Sequence, residues 1–261
     1  MPYATLPAVR LNYRIDGDAN ARALLLSNSL GTALEMWEPQ MPVLSSRFRV
    51  IRYDSRGHGR SEAPRGPYTI DDFGRDAVGL LDALKIERAH FCGLSLGGAV
   101  GLWLGVHAAE RIGRLVVANT GAKIGTVDAW NARIAAVERD GTASVAKAVL
   151  GRWLPPAMLE QPTPIVTALR RTFESTSSSG YAASCAAVRD LDLRRVIHRI
   201  HAPTLVIAGT EDHVTTPDDA RAIADAIRGA RVVELQAAHL SNIQASSAFT
   251  QAVVEFLNER R

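Results

Sequence analysis

Between Phe91 and Ala109 the chain carries no Asp, Glu, Lys or Arg. A run of that length approaches the roughly 20 apolar residues that cross a bilayer as a helix. It is therefore either a membrane span or a segment enclosed by a globular core. Glycines at 93, 97, 98, 101 and 105 interrupt it. That spacing suits a buried strand, a tight turn and a buried helix better than one lipid-facing helix. No second such run occurs, and the buried reading is the expectation carried forward.

The rest of the chain has the alternation that this reading needs. Apolar runs of strand length occur at Arg22–Ser29, Phe48–Asp54, Ala89–Ser95, Arg114–Thr120, Pro203–Thr210 and Arg231–Gln236. Nearly continuous apolar strands are buried on both faces, as in parallel sheets. The segment Val9–Asp18 alternates better and reads as a hairpin strand at one edge. Helical patterns lie between the strands. Thr69 caps a helix with Asp72 at N3, a weak capping box, and Ile70, Phe73, Val78 and Leu81 give it a buried side. Pro217 opens another after Thr216, with Asp218 and Asp219 in its first turn. A last helix runs from Ser247 to Arg260. The expected fold is α/β, a mostly parallel central sheet covered by helices on both faces.

The alternation stops at about Gly121 and resumes at about Arg199. In between come helical patterns at 126–141, 144–154, 163–175 and 180–193, divided by turn clusters at 154–156 and 175–180. The expected organisation is a core of residues 1–120 and 200–261 with a helical cap at 121–199. Of the 261 residues, 47% are hydrophobic and 22% charged, an ordinary globular balance. The net charge of +3 is scattered, with no dense Lys/Arg block, so nucleic acid is not an expected partner. The N-terminal stretch lacks the pattern of a secretory signal. With just two cysteines, Cys92 and Cys185, the expectation is reduced thiols in the cytoplasm.

Ser95 stands in Gly93-Leu94-Ser95-Leu96-Gly97, a complete G-x-S-x-G between an apolar strand and a helical pattern. That strand–turn–helix setting is what presents a serine as a nucleophile. A serine hydroxyl needs a base, and the base needs an orienting carboxylate, in the chain order Ser…Asp/Glu…His. Glu211 and Asp212 follow one apolar strand, and His239 follows the next. Catalytic groups collect at the carboxyl ends of strands in open α/β sheets, and Ser95, Asp212 and His239 all fall there. The expected oxyanion donors are the backbone amides of Leu96 and of Leu30, the latter in the loop "SNSLGT". His58 in "RGHG" is expected to hold a turn, His90 to be structural, and Cys92 to be a buried hydrophobe.

These motifs resemble the α/β-hydrolases along nearly the whole chain: "GLSLGG" at 93–98, "YDSRGHGRS" at 53–61, "GTEDHVTTP" and "AAHLSN". Within that superfamily the chain is most similar to the 3-oxoadipate enol-lactonases, through "LSNSLGT" at 26–32, "DSRGHGRSEAPRGPYTIDD" at 54–72, "HFCGLSLGG" and "KIGTVDAWNARIAAV" at 123–137. Asn28-Ser29 stands where many superfamily members carry His-Gly, a departure typical of the lactonase branch. The resemblance implies Asp212 as the acid, no metal or organic cofactor, and opening of 3-oxoadipate enol-lactone by water. A general carboxylesterase or perhydrolase, a carbon–carbon bond hydrolase of ring-cleavage products, and a receptor-like ligand-binding hydrolase fold stay open as alternatives. Trp130, Arg133, Ile134 and Val137 share one helical face. Either this face packs a cap helix with Arg133 reaching outward, or it roofs a pocket where Arg133 meets an anionic substrate arm. Trp153 has the same two readings, packing within the cap or shaping an apolar pocket.

Overall fold

The structure is a computed structural model, and it describes residues 2–259. Eight strands form one sheet: β1 (Tyr3–Thr5), β2 (Arg10–Asp16), β3 (Ala23–Ser27), β4 (Arg49–Tyr53), β5 (Ala89–Leu94), β6 (Ile112–Ala118), β7 (Thr204–Gly209) and β8 (Arg231–Leu235). Their spatial order is β1-β2-β4-β3-β5-β6-β7-β8. The pairs β1/β2 and β2/β4 are antiparallel, and every other pair is parallel.

Helices α1 (Met41–Leu44), α2 (Ile70–Ala83) and α3 (Leu96–His107) lie in the first half. Five helices, α4 (Val127–Asp140), α5 (Thr142–Trp153), α6 (Pro156–Glu160), α7 (Pro164–Ser175) and α8 (Ser178–Asp190), separate β6 from β7. The chain closes with α9 (Pro217–Ala226), α10 (Ser241–Gln244) and α11 (Ser246–Asn258). Helices α2 and α3 pack on one another, and α9 lies against β7 and β8. Helix α11 joins α1, α10 and the 3₁₀ turn Leu34–Gln40 in a second group. Strand β7 is buried at every residue, and β3, β5 and β6 at all but one. That accounts for their unbroken apolar sequences. The charge-free stretch divides into β5, a turn at Ser95 and α3, whose residues 96–105 are all buried. No helix among the described residues is long and apolar enough to cross a membrane.

Three expectations change and one is met in full. The segment at 9–18 forms β2, but β2 lies inside the sheet between β4 and the short edge strand β1. The sequence of β1 is too brief to show an alternation. Helix α6 begins inside the expected turn cluster at 154–156. Pro155-Pro156 has the look of a breaker, yet Pro156 occupies the first helical position, where a missing N–H costs nothing. The Thr69 box is complete, with the Thr69 amide donating to Asp72 Oδ2 at 2.8 Å and the Asp72 amide to Thr69 Oγ1 at 3.3 Å. The expected last helix ends at Asn258, and Arg260 lies outside the described residues.

Candidate active site

Parallel strands bring their carboxyl ends to one edge of the sheet, and there β5, β7 and β8 deliver Ser95, Asp212 and His239. Ser95 has φ +58° and ψ −115°, a conformation that costs a non-glycine residue about 1–3 kcal/mol. The surroundings hold it there. Its amide donates to the Ala118 carbonyl at 2.9 Å, and Thr120 Oγ1 donates to its carbonyl oxygen at 2.7 Å. The turn packs directly on the end of β3, where the Gly97 amide donates to the Asn28 carbonyl at 3.0 Å. A methyl group on Gly97 would overlap the Ser27 carbonyl, and one on Gly93 would overlap the carbonyl of Gly97. Both glycines of the motif are therefore required by close backbone approach.

His239 Nδ1 lies 2.8 Å from Asp212 Oδ2. Since a carboxylate only accepts, Nδ1 carries the proton and Nε2 is left as the basic nitrogen. Asp212 Oδ1 accepts the amides of Val214 and Thr215 at 2.7 and 3.1 Å, and Oδ2 also accepts Thr215 Oγ1 at 2.9 Å and Asn119 Nδ2 at 3.0 Å. Burial alone would raise the Asp212 carboxyl; the hydrogen bonds and charge of His239, with those of Asn119 and the Val214 amide, outweigh it and hold it at about 2. Glu211, its neighbour, is exposed. Asp212 and His239 are 2% and 1% exposed, and Ser95 is 7% exposed, so all three sit beneath other elements of the protein.

The loop after β3 carries Leu30. Around it the amide of Ser29 donates to Met36 Sδ at 3.3 Å, that of Gly31 to His58 Nε2 at 2.8 Å, and that of Thr32 to the Ser29 carbonyl at 3.1 Å. Among the described residues nothing accepts the amide of Leu30 or of Leu96. Two unclaimed donors therefore stand in the two segments flanking the serine. Asn28 anchors this loop, its Nδ2 donating to the Tyr53 carbonyl at 2.7 Å while its Oδ1 accepts Trp37 Nε1 at 2.9 Å.

His58 does more than hold its turn. Its Nδ1 is 3.0 Å from the Arg56 carbonyl and donates to it, which leaves Nε2 as the acceptor for Gly31. Burial pushes its pKa down to about 4, so it is neutral at pH 7. Arg56 fixes the same turn to α2 through two 2.7 Å bonds to the buried Asp76.

The helices between β6 and β7 reach this site. Phe173 and Tyr181 press on Gly31, where an added methyl would lie 2.6 Å from Phe173 Cδ2. Trp153 packs edge-on against Phe173 at 5.5 Å, and its carbonyl accepts the amide of Leu240, next to His239, at 3.0 Å. Trp153 thus touches the histidine loop. Trp130 is more remote: it is buried, and its Nε1 donates to the Ile124 carbonyl at 2.7 Å, which pins the start of α4. Arg133 stacks over Trp130 at 4.9 Å, and its positive charge acts on Tyr181 and Cys185 of α8. It lies within the helical layer and is half-buried. No motif covers Asn119 or Thr120, and within "GTEDHVTTP" and "AAHLSN" nothing distinguishes Thr215 or Ser241, although each hydrogen-bonds Ser95, Asp212 or the Asn119 that bonds Asp212.

Comparison with known proteins agrees with this architecture. The alpha/beta hydrolase fold family model matches residues 22–147, and that of TAP-like proteins matches 171–261. The chain is 43% identical to 3-oxoadipate enol-lactonase 2 of Acinetobacter baylyi, over 95% of this chain and 93% of that protein. The crystal structure of the enol-lactonase from Burkholderia xenovorans LB400 superposes with a TM-score of 0.97 and 48% identity, covering 99% of this chain and all of that one. A thermophilic esterase from Thermogutta terrifontis aligns with a TM-score of 0.89 at 25% identity, over 98% of this chain and 96% of that one.

Proposed function

The chain belongs to the 3-oxoadipate enol-lactonase family of α/β-hydrolases, and from that premise we propose that it opens 3-oxoadipate enol-lactone with water, using Ser95, Asp212 and His239. His239 Nε2 takes the Ser95 proton as Oγ attacks the lactone carbonyl. Asp212 holds the ring through Nδ1 and stabilises the imidazolium that forms. The Leu30 and Leu96 amides receive the oxyanion. Collapse breaks the ring carbon–oxygen bond and expels an enolate that stays tethered to the acyl chain and takes up the proton from His239 Nε2, which restores the neutral base. His239 then takes a proton from water, whose oxygen attacks the acyl-serine ester. Breakdown returns the proton to Ser95 and releases 3-oxoadipate.

The observation that carries this reading is the pair of unclaimed amides at Leu96, in the turn of a strained, buried serine, and at Leu30, in the loop that packs on that turn. Leu96 opens α3, where an amide without an intrahelical partner is ordinary, but Leu30 lies outside any helix, and an oxyanion hole needs just such a second free donor beside the first. We take residues 121–199 as a cap: Trp153 and Phe173 would supply apolar walls, Trp130 would steady α4, and Arg133 would meet the substrate carboxylate. The two cysteines are buried and unbridged, which supports a reducing, cytoplasmic setting. The ligand is a small lactone or ester.

Two measurements test the reading. Purified protein should turn over the enol-lactone many times and faster than simple esters or ring-cleavage products, and folded Ser95→Ala should lose turnover. Near-wild-type hydrolysis by Ser95→Ala would end the nucleophile assignment, and a single slow turnover would favour a receptor. Arg133→Ala should impair the charged lactone more than a neutral ester. Equal effects on both would remove Arg133 from carboxylate recognition.

A further inference from the structure

We propose that Asn119 is a positioning residue of the reaction, fixing the Asp212 carboxylate that orients His239; this rests on the roles proposed for those two residues. Asn119 follows β6, which lies between the strands that deliver Ser95 and Asp212. Its neighbours on either side hold the serine, through the Ala118 carbonyl and Thr120 Oγ1. Its own side chain holds the acid. Nδ2 donates to Asp212 Oδ2 at 3.0 Å and to the carbonyl of Ala238, next to His239, at 3.3 Å. Both partners are pure acceptors, so the amide nitrogen must face them. The remaining oxygen accepts the Ser241 hydroxyl, which fixes the orientation from α10. One buried side chain thus ties the acid loop and the histidine loop to the strand end that carries the nucleophile.

The backbone reinforces this role. Asn119 has φ +45°, in the left-handed region, and its amide donates to the Ile207 carbonyl of β7 at 2.8 Å. Asn tolerates that region better than most residues, and there the short side chain turns toward Asp212. The strain is retained at a residue that hydrogen-bonds the acid, as expected where a conformation serves a site.

The three donors compete in a predictable way. Asn119, Thr215 and His239 all donate to the same oxygen of Asp212. The two uncharged donors share its negative charge, so that less of it acts on the imidazolium. Glu211 and His213, beside Asp212 in the chain, are exposed, and the groups reaching in from β6 and α10 are the uncharged Asn119 and Ser241.

The test follows the His239 ring by NMR in histidine-labelled full-length protein, its signal identified by its loss in His239→Gln. Asn119→Gly suits the positive φ and removes the amide. It should raise the midpoint of the His239 titration by about one pH unit, as a desolvated carboxylate with one donor fewer acts more strongly on its partner. Asn119→Asp should raise it further, because a second carboxyl then faces the pair. Thr215→Val should shift it in the same direction as Asn119→Gly. On the lactone, Asn119→Gly should lower kcat by about 10- to 100-fold with KM within about threefold, the mark of lost alignment rather than lost binding. Unchanged midpoints in folded Asn119→Gly and Asn119→Asp would overturn the proposal. The midpoint is read without turnover, so the two assignments separate. A shifted midpoint in a protein that never opens the lactone would condemn the activity and keep the brace. A fixed midpoint in an active enzyme would do the reverse.

Discussion

Lowering the pH from 7 to 4 should unfold this protein partly through one histidine. His58 is fully enclosed, with Nδ1 spent on the Arg56 carbonyl and Nε2 accepting the Gly31 amide. Burial holds its pKa at about 4, against 6.5 in an open chain. As the pH falls through that window, the unfolded chain takes up a proton that the folded protein refuses. Stability is therefore whole above about 6.5, declines with falling pH, and has lost this contribution below about 4. At about 1.4 kcal/mol per pH unit the loss is about 3 kcal/mol. Protonation at Nε2 would also replace the acceptor of the Gly31 amide with a second donor. His58→Gln supplies a neutral acceptor of similar reach, so its stability near pH 7 should lie within about 1 kcal/mol of wild type. His90, which burial and the charges of Arg22, Arg114 and Arg88 also lower to about 4, is untouched by the change. So are Asp54 and Asp76, whose pKa values burial raises and whose contributions run the opposite way. Urea unfolding followed by tryptophan fluorescence between pH 4 and 7.5 gives both curves. Wild type should lose about 3 kcal/mol more than His58→Gln across the window. Parallel curves would refute the reasoning.

Two further substitutions probe the scaffold under the site. Gly97→Ala should yield insoluble or strongly destabilised protein, by more than about 3 kcal/mol, because the methyl overlaps the Ser27 carbonyl rather than a movable side chain. The control Gly151→Ala meets nothing within 4 Å at its exposed position on α5, and should gain up to about 1 kcal/mol; comparable thermal melts of the two variants would contradict the packing argument. Asp76→Asn leaves the buried Arg56 guanidinium without its bidentate partner and should cost about 3–5 kcal/mol in chemical denaturation. A change below about 1 kcal/mol would show that Asp72, 3.4 Å away, suffices as counter-ion.

The parallel core is legible because its strands are enclosed on both faces, so each is written as an unbroken apolar run with turn residues at its ends. Where that enclosure fails, the signal fails with it. Strand β1 has three residues with the pattern exposed, buried, exposed, and no stretch that short can declare a period. Helix α6 has five residues and none of them buried, so no apolar stripe marks it and its prolines read as a turn. The positions of Ser95, Asp212 and His239 are legible for a related reason. Each stands just beyond an apolar strand, and parallel pairing sends all such ends to one edge.

Asn119 also stands at a strand end, yet nothing in "VVANTG" distinguishes it. Its importance arises from the strands on either side of β6 rather than from its neighbours in the chain. The register pairs Ala118 with Leu94 of β5 on one side and with Ile207 of β7 on the other, so the next residue falls between the serine turn and the acid loop. Strand order is a tertiary fact that local sequence does not encode. His58 shows the same limit: "RGHG" announces a turn, but its partner Gly31 belongs to a loop 27 positions away. The roles proposed for Ser95, His239 and Asp212, nucleophile, base and acid, each need a particular chemistry, which constrains the residue types and lets candidates be read one by one. The groups that align them need only a donor or an acceptor at the right place. Many residue types can supply that, and the place is known only once the sheet is assembled.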